Sequence, residues 1–238
     1  MRLKVLPDAG AVAGRAAAII AEQARAAYAA RGRFVMAVSG GHTPWVMLRL
    51  LAREDVPWNG VHVLQVDERI APAGDPDRNL THLRESLLAN APLPPAQIYP
   101  MPVESADLAA AAAEYAATLE KIAGSPAVLD LVHLGLGPDG HTASLIPGDP
   151  VLDVVDRDVA ITGVYQGRQR MTLTYPAIDR ARQILWLVTG SEKTKALGQL
   201  LAADSSIPAG RVTRGQALVL ADAAAAGTGQ TSSFQGAR

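Results

Sequence analysis

The chain has no cysteine, which excludes disulfides, iron–sulfur clusters and thiolate zinc sites and makes a reducing cytoplasm the expected compartment. It has no apolar run approaching the roughly 18 to 20 residues that span a bilayer, so no membrane partner is expected. The start, MRLKVLPDAGAVAGR, breaks any candidate signal segment with Pro7, Asp8 and Arg15. Charge of one sign is also lacking. A net charge of −1 offers no polycationic face to a nucleic-acid backbone, and nucleic acid is not an expected partner. There is no fixed-period repeat and no linker-like segment. The phosphate-gripping P-loop is excluded because no Gly-Lys pair occurs, and no H-E-x-x-H spacing marks a metal site.

What is present is an alternation of short apolar runs with longer alanine-rich amphipathic stretches. This pattern predicts βαβ units around an open, mostly parallel sheet with helices on both faces, a single α/β domain over 1–226. Strands are expected at 2–6, 33–38, 61–66, 129–134, 183–188 and 217–220, and helices near 8–30, 44–53, 79–90, 105–123 and 191–203. Asp8 is placed to cap the first helix and Gly32 to end it, while Pro44 suits a first helical turn. VAITGV and RMTLTY, within the less regular segment 150–175, read as extra strands. The small polar stretch GTGQTSSFQGAR, from Gly227 to the end, reads as a disordered tail.

In an open α/β sheet, ligands collect beyond the carboxyl ends of the strands, so the residues that directly follow the apolar runs carry the functional signal. After RFVMAV comes SGGHTP, 39–44. Gly40 and Gly41 let the backbone approach a ligand, and backbone N–H groups, Ser39, Thr43 and the start of a helix together suit one phosphate. A serine-hydrolase reading fails, because the nucleophile elbow needs glycine two positions before Ser39 and residue 37 is Ala. After VHVLQV comes DERIAPAGDPDRN, which puts Asp67, Glu68 and Arg69 on a Pro- and Gly-rich loop. A carboxylate beside a guanidinium suits hydroxyl and oxyanion recognition, although solvated charges look the same in sequence.

After LDLVHL comes LGLGPDGHTASLIPG, where Gly135, Gly137 and Gly140 spell G-x-G-x-x-G. Asp153 and Asp156 lie near the distance a dinucleotide site requires of its acidic residue. The helix fails, because only the six residues His141 to Ile146 precede Pro147-Gly148. The loop is better explained by His141, with Asp139 two residues before it and Thr142 and Ser144 after it. A neutral imidazole held this way takes a proton from water near neutral pH. After QILWLV comes TGSEKTKAL, with Lys193 and Lys195 at a helix start. Cations are disfavoured there by the helix dipole, so either an anion binds or the side chains are simply solvated. Arg170 opens RMTLTY as a further cation.

Taken together, AVSGGHTP, VDERIAPAGDPDRNLTHL, LGLGPDGHTASLIPG, RMTLTYPAI and LVTGSEKTKAL, in this order over residues 37–197, resemble the 6-phosphogluconolactonases of the oxidative pentose phosphate pathway. These belong with the glucosamine-6-phosphate isomerases. The resemblance implies hydrolysis of a sugar-phosphate lactone, with His141 as general base and Asp139 helping to fix its loop. It implies that Arg69 faces the sugar or the developing oxyanion, and that Ser39, Gly40, Gly41, Thr43, Arg170 and Lys193 hold the phosphate. Asp67 is a candidate for the sugar hydroxyls. No metal or organic cofactor is implied, since an activated ester needs a base, a water and oxyanion stabilisation. His42 departs from the family, which more often has a small hydroxyl residue there.

Glucosamine-6-phosphate deaminases share the glycine–aspartate–glycine–histidine loop but follow the histidine with an acidic Asn-Glu-Pro-like stretch. Here the corresponding residues are SLIPG, which carry no carboxylate, and this favours the lactonase. A non-catalytic sugar-phosphate sensor would need neither His141 nor a chain this free of additional modules. Whether the protein is a monomer or a small homo-oligomer is open at the level of sequence.

Overall fold

Parallel pairing of short, mostly apolar strands organises the protein, here a computed structural model that describes residues 1–228. Seven strands form the main sheet: β1 Arg2–Leu6, β2 Phe34–Val38, β3 Val61–Gln65, β5 Ile98–Tyr99, β6 Leu131–Gly135, β9 Ile184–Val188 and β10 Ala217–Asp222. Their spatial order is β1-β10-β9-β6-β2-β3-β5, and every pairing is parallel. The remaining strands, β4 Asp67–Arg69, β7 Val159–Ile161 and β8 Arg170–Leu173, make a separate antiparallel sheet in the order β4-β8-β7.

The strand FVMAV is buried along its whole length because both sheet faces are covered. Phe34, Met36 and Val38 face one apolar cluster together with Val12, Ile20, Met47 and Leu48, from helices α1 (Ala9–Arg31) and α2 (His42–Leu51). Leu80 and Leu83 of the short α3 (Asn79–Leu83) join the same cluster. Val35 and Ala37 point into the opposite cluster, with Tyr115 and Leu119 of α4 (Leu108–Ala123), Ile178 of α5 (Tyr175–Asp179) and Leu197 of α6 (Thr194–Ala202). Helices thus cover both faces, as the alternation of runs requires. Strand β1, at the sheet edge, leaves Leu3 and Val5 exposed.

Local chemistry sets several boundaries. Asp8 accepts a hydrogen bond from the Ala11 N–H at 2.8 Å, and Gly32, in the left-handed region with φ 70°, closes α1. α2 begins at His42, before the expected Pro44, with Gly41 at its N-cap. The stretch expected as one helix over 79–90 is α3 followed by a π-helical turn, Arg84–Leu88. Asp67, Glu68 and Arg69 do not lie on a loop: they form β4, because the expected strand in RMTLTY exists as β8 and pairs with them. Of the polar tail, Gly227 and Thr228 close a turn on Ala224 and Ala223, and 229–238 lie outside the described residues.

Candidate active site

From β2 the chain proceeds outward to β3 and β5, then returns to place β6 on the other side of β2. At such a reversal the loops leaving neighbouring strands diverge and open a crevice above the carboxyl ends. A cleft of about 390 Å³ lies there. Ser39, Gly40, Gly41, His42 and Thr43 line it after β2, Gly135, Gly137, His141 and Ala143 after β6, and Thr189, Glu192 and Lys193 after β9. Asp67, Arg69, Asn79 and Arg170 complete the wall from the small sheet and the start of α3.

The loop after β6 presents a carboxylate–imidazole pair. His141 Nδ1 lies 2.6 Å from Asp139 Oδ1, which also accepts the His141 backbone N–H at 3.2 Å. An imidazole that gives its Nδ1 proton to a carboxylate keeps Nε2 as a lone-pair acceptor. Burial pushes Asp139 upward, but the His141 charge, its two hydrogen bonds and one from Tyr165 outweigh this and hold the carboxyl below its ordinary value. Gly137 is glycine for a steric reason: a β-carbon there would overlap His141 Nδ1 and Asp139 Oδ1. The loop closes on itself through Gly137 N–H to His141 O at 2.8 Å, and Thr142 Oγ1 donates to Gly135 O at 2.8 Å.

The loop after β2 is fixed from below. Ser39 N–H donates to His133 Nδ1 at 3.2 Å, and Ser39 Oγ donates to the His133 carbonyl at 3.1 Å. His133 is fully buried, and burial brings its pKa down to about 3, so the ring is neutral and available as the acceptor. Gly41, at φ 125°, turns the chain into α2, and no side chain caps that helix start. The start of α2 therefore lines the cleft with its first N–H groups uncapped, at the positive end of the helix dipole. Thr43 Oγ1 and Thr189 Oγ1, 2.8 Å apart, tie this helix start to the end of β9.

The cationic wall comes from the antiparallel pairing of β4 with β8, which sets Arg69 directly opposite Arg170. Directly opposed like charges are destabilising unless an anion joins them. Burial and the neighbouring Arg69 charge lower the pKa of Arg170, while Asp67, Tyr165 and Asp139 oppose this. The Nε atoms of both arginines are buried without a hydrogen-bond partner among the described residues. Lys193 lines the cleft at the start of α6.

Asp67 is buried, with Oδ2 accepting from Ser144 Oγ at 2.7 Å and its carbonyl accepting from Asn79 Nδ2 at 2.9 Å. The adjacent Glu68 is fully buried and accepts from Gln65 Nε2 and from the backbone N–H groups of Arg69, Asn79 and Leu80, each at 2.8 Å. One carboxylate thus locks β4 to the N-terminus of α3. Arg78 provides its counter-charge.

Nine of the residues singled out in the sequence, Ser39, Gly40, Gly41, Thr43, Asp67, Arg69, His141, Arg170 and Lys193, line this one cleft. Asp139 stands behind His141, outside the lining. Ser144 turns inward to Asp67 and Thr142 to Gly135. Beyond the residues marked in the sequence, the structure adds Asn79, Thr189, Glu68 as a scaffold, His133 as a buried acceptor, and Tyr165. Asn79 closes the quoted DERIAPAGDPDRN run and could have been marked by its place before a helix, whereas nothing local marks Tyr165. Among the described residues, no three His, Cys, Asp or Glu side chains converge to hold a metal ion.

Comparison with known proteins finds the same architecture and sequence pattern. The 6-phosphogluconolactonase of Synechocystis is 40% identical, with 80% of this chain and 81% of that protein covered. That of Mycobacterium tuberculosis is 36% identical, with 94% and 96% covered. Among solved structures, the 6-phosphogluconolactonase of Trypanosoma brucei superposes with a TM-score of 0.85 at 26% identity, covering 96% of this chain and 98% of that one. A monomeric glucosamine-6-phosphate deaminase, 19% identical, shares the fold with a TM-score of 0.82, over 96% of this chain and 100% of that one. Residues 7–220 match the family described as glucosamine-6-phosphate isomerases/6-phosphogluconolactonase, and the chain belongs to that family.

Proposed function

We propose that the protein hydrolyses 6-phospho-D-glucono-1,5-lactone to 6-phospho-D-gluconate, with His141 as the general base. The observation that carries this reading is the 2.6 Å contact between His141 Nδ1 and Asp139 Oδ1, which leaves Nε2 as the ring nitrogen available to the cleft. The names of the relatives that match over most of the chain support the substrate class.

In the reaction, His141 Nε2 takes a proton from water while the water oxygen bonds to C1 of the lactone and the carbonyl electron pair moves onto oxygen. Collapse of this tetrahedral species breaks the bond between C1 and the ring oxygen, and the imidazolium returns its proton to that oxygen. Asp139 holds the ring's tautomer and stabilises the transient imidazolium. Arg69 faces the sugar or the developing oxyanion. Arg170, Lys193 and the uncapped start of α2, with Ser39, Gly40, Gly41 and Thr43, hold the phosphate. Asp67, fixed by Ser144 and Asn79, meets sugar hydroxyls.

The test follows acid release from freshly prepared 6-phosphogluconolactone, with and without the protein, against spontaneous hydrolysis. The expected result is clear acceleration. A rate equal to the background at micromolar protein overturns the reading.

A further inference from the structure

The hairpin between β7 and β8 turns at Tyr165-Gln166-Gly167-Arg168. Tyr165 N–H donates to Arg168 O at 2.9 Å, and the two central residues have φ 51° and 79°. Positive φ at both central positions is the geometry of a type I′ turn, whose twist matches the flanking strands. Glutamine is a costly residue for the first of these positions. Its side chain is engaged nonetheless: Arg170 donates an Nη2 hydrogen to Gln166 Oε1 at 3.2 Å. The tip is clasped from the other side, where Arg168 contacts Asp75 and Asp77 at 3.0 Å each.

This clasp carries Tyr165 to the proton-transfer pair. Its hydroxyl donates to Asp139 Oδ2 at 3.0 Å, the carboxylate oxygen that His141 does not use. Its ring meets the His141 imidazole edge-on with centroids 5.7 Å apart, and the Arg170 guanidinium lies 5.0 Å from the ring centre. One side chain therefore touches the carboxylate, the imidazole and a cation of the cleft wall.

We propose that Tyr165 is a positioning residue of this site, which acts through its hydroxyl on Asp139 to fix the carboxylate for His141 and through its ring to seat Arg170. The proposal rests on the lactonase reading for its kinetic consequences but not for its structural ones. The two parts separate by chemistry. Tyr165→Phe removes the hydroxyl and keeps the ring, whereas Tyr165→Leu removes both.

Hydrogen bonds to a charged group are strong, but Asp139 is partly open to water, so Tyr165→Phe should lower kcat about three- to tenfold with little change in KM. Tyr165→Leu should add a rise in KM for the phosphorylated lactone as Arg170 loses its aromatic support. The decisive measurement is a double-mutant cycle: in an Asp139→Asn background, Tyr165→Phe should cost almost nothing further. An equal kcat loss in both backgrounds, or no loss in either, overturns the proposal.

A second readout needs no substrate. Imidazole NMR at fixed pH, with the His141 signal assigned by its loss in His141→Ala, should show the resonance of Nδ1, the nitrogen that contacts Asp139, shifted by Tyr165→Phe but not by the same substitution in an Asp139→Asn background. The reason is that Asp139 then loses the donor on its second oxygen, which changes the hydrogen bond it shares with His141. An unmoved Nδ1 resonance counts against Tyr165 even if the native protein proves inactive on the lactone, an outcome that would sink only the lactonase reading.

Discussion

The two walls of the cleft are built in opposite ways. On the wall after β6, polar groups are satisfied by the protein itself: both oxygens of Asp139 accept hydrogen bonds, Thr142 and Ser144 donate inward, and the loop closes on its own backbone. On the cationic wall, Arg69 and Arg170 oppose each other in register, and among the described residues their guanidiniums bond only neutral oxygens, Asp77 O and Gln166 Oε1, with both Nε atoms left without partners. Neither they nor Lys193 is in an ion pair among the described residues. The wall after β6 is thus organised by the protein's own contacts. The cationic wall leaves an electrostatic demand that an anion would meet.

If the contrast is right, the largest single loss comes from the organised wall. His141→Ala should lower kcat by about 10²–10⁴-fold, the range of general-base catalysis, with the fold intact by circular dichroism. Near-native turnover would make the imidazole structural.

The cationic wall should respond in affinity rather than turnover. Lys193→Met should raise KM for the phosphorylated lactone about ten- to a hundredfold, the worth of one charged hydrogen bond, with a smaller effect on kcat. Unphosphorylated gluconolactone should be a poor substrate and indifferent to the change. Equal depression of both substrates would place Lys193 in the chemistry or the fold instead.

The floor of the SGGHTP loop supplies a pH test. His133 has a folded pKa of about 3, below the ordinary histidine value, so between about pH 6.5 and 3 the unfolded chain binds a proton that the folded one refuses. Stability from this residue is therefore present above pH 6.5 and is lost on acidification, at about 1.4 kcal/mol per pH unit within that window. In urea titrations from pH 7 to 5, His133→Asn should show a shallower decline than the native chain. Parallel declines would mean that His133 is protonated in the folded state.

The smallest expected effect is none at all. Ammonia release from glucosamine 6-phosphate should stay at background, because SLIPG places no carboxylate after His141. Sustained release would move the assignment to the deaminase side of the family.

The order of strands and long helices was legible in the sequence because apolar runs, Asp8, Gly32 and the glycine loops act over a few residues. The match of 2–6 with β1 and of 183–188 with β9 reflects that locality. Conformation was not legible where pairing across the chain decides it. DER looks like a polar loop until RMTL lies antiparallel to it, and the helix expected over 79–90 gives way to a π-helical turn at Arg84–Leu88, for which no local signal is present.

By itself the sequence determined a parallel α/β sheet with His141, Ser39 to Thr43 and Lys193 just past its strands and Arg170 at the opening of a further one. Those facts follow from side-chain periodicity and from the backbone freedom of glycine. Only the tertiary structure decided that Arg69 and Arg170 share one register, that Ser144 serves Asp67, and that Tyr165 reaches Asp139. Each is a contact between segments distant in the chain, created by packing that buries apolar faces and then leaves polar atoms to find whatever partners lie within reach.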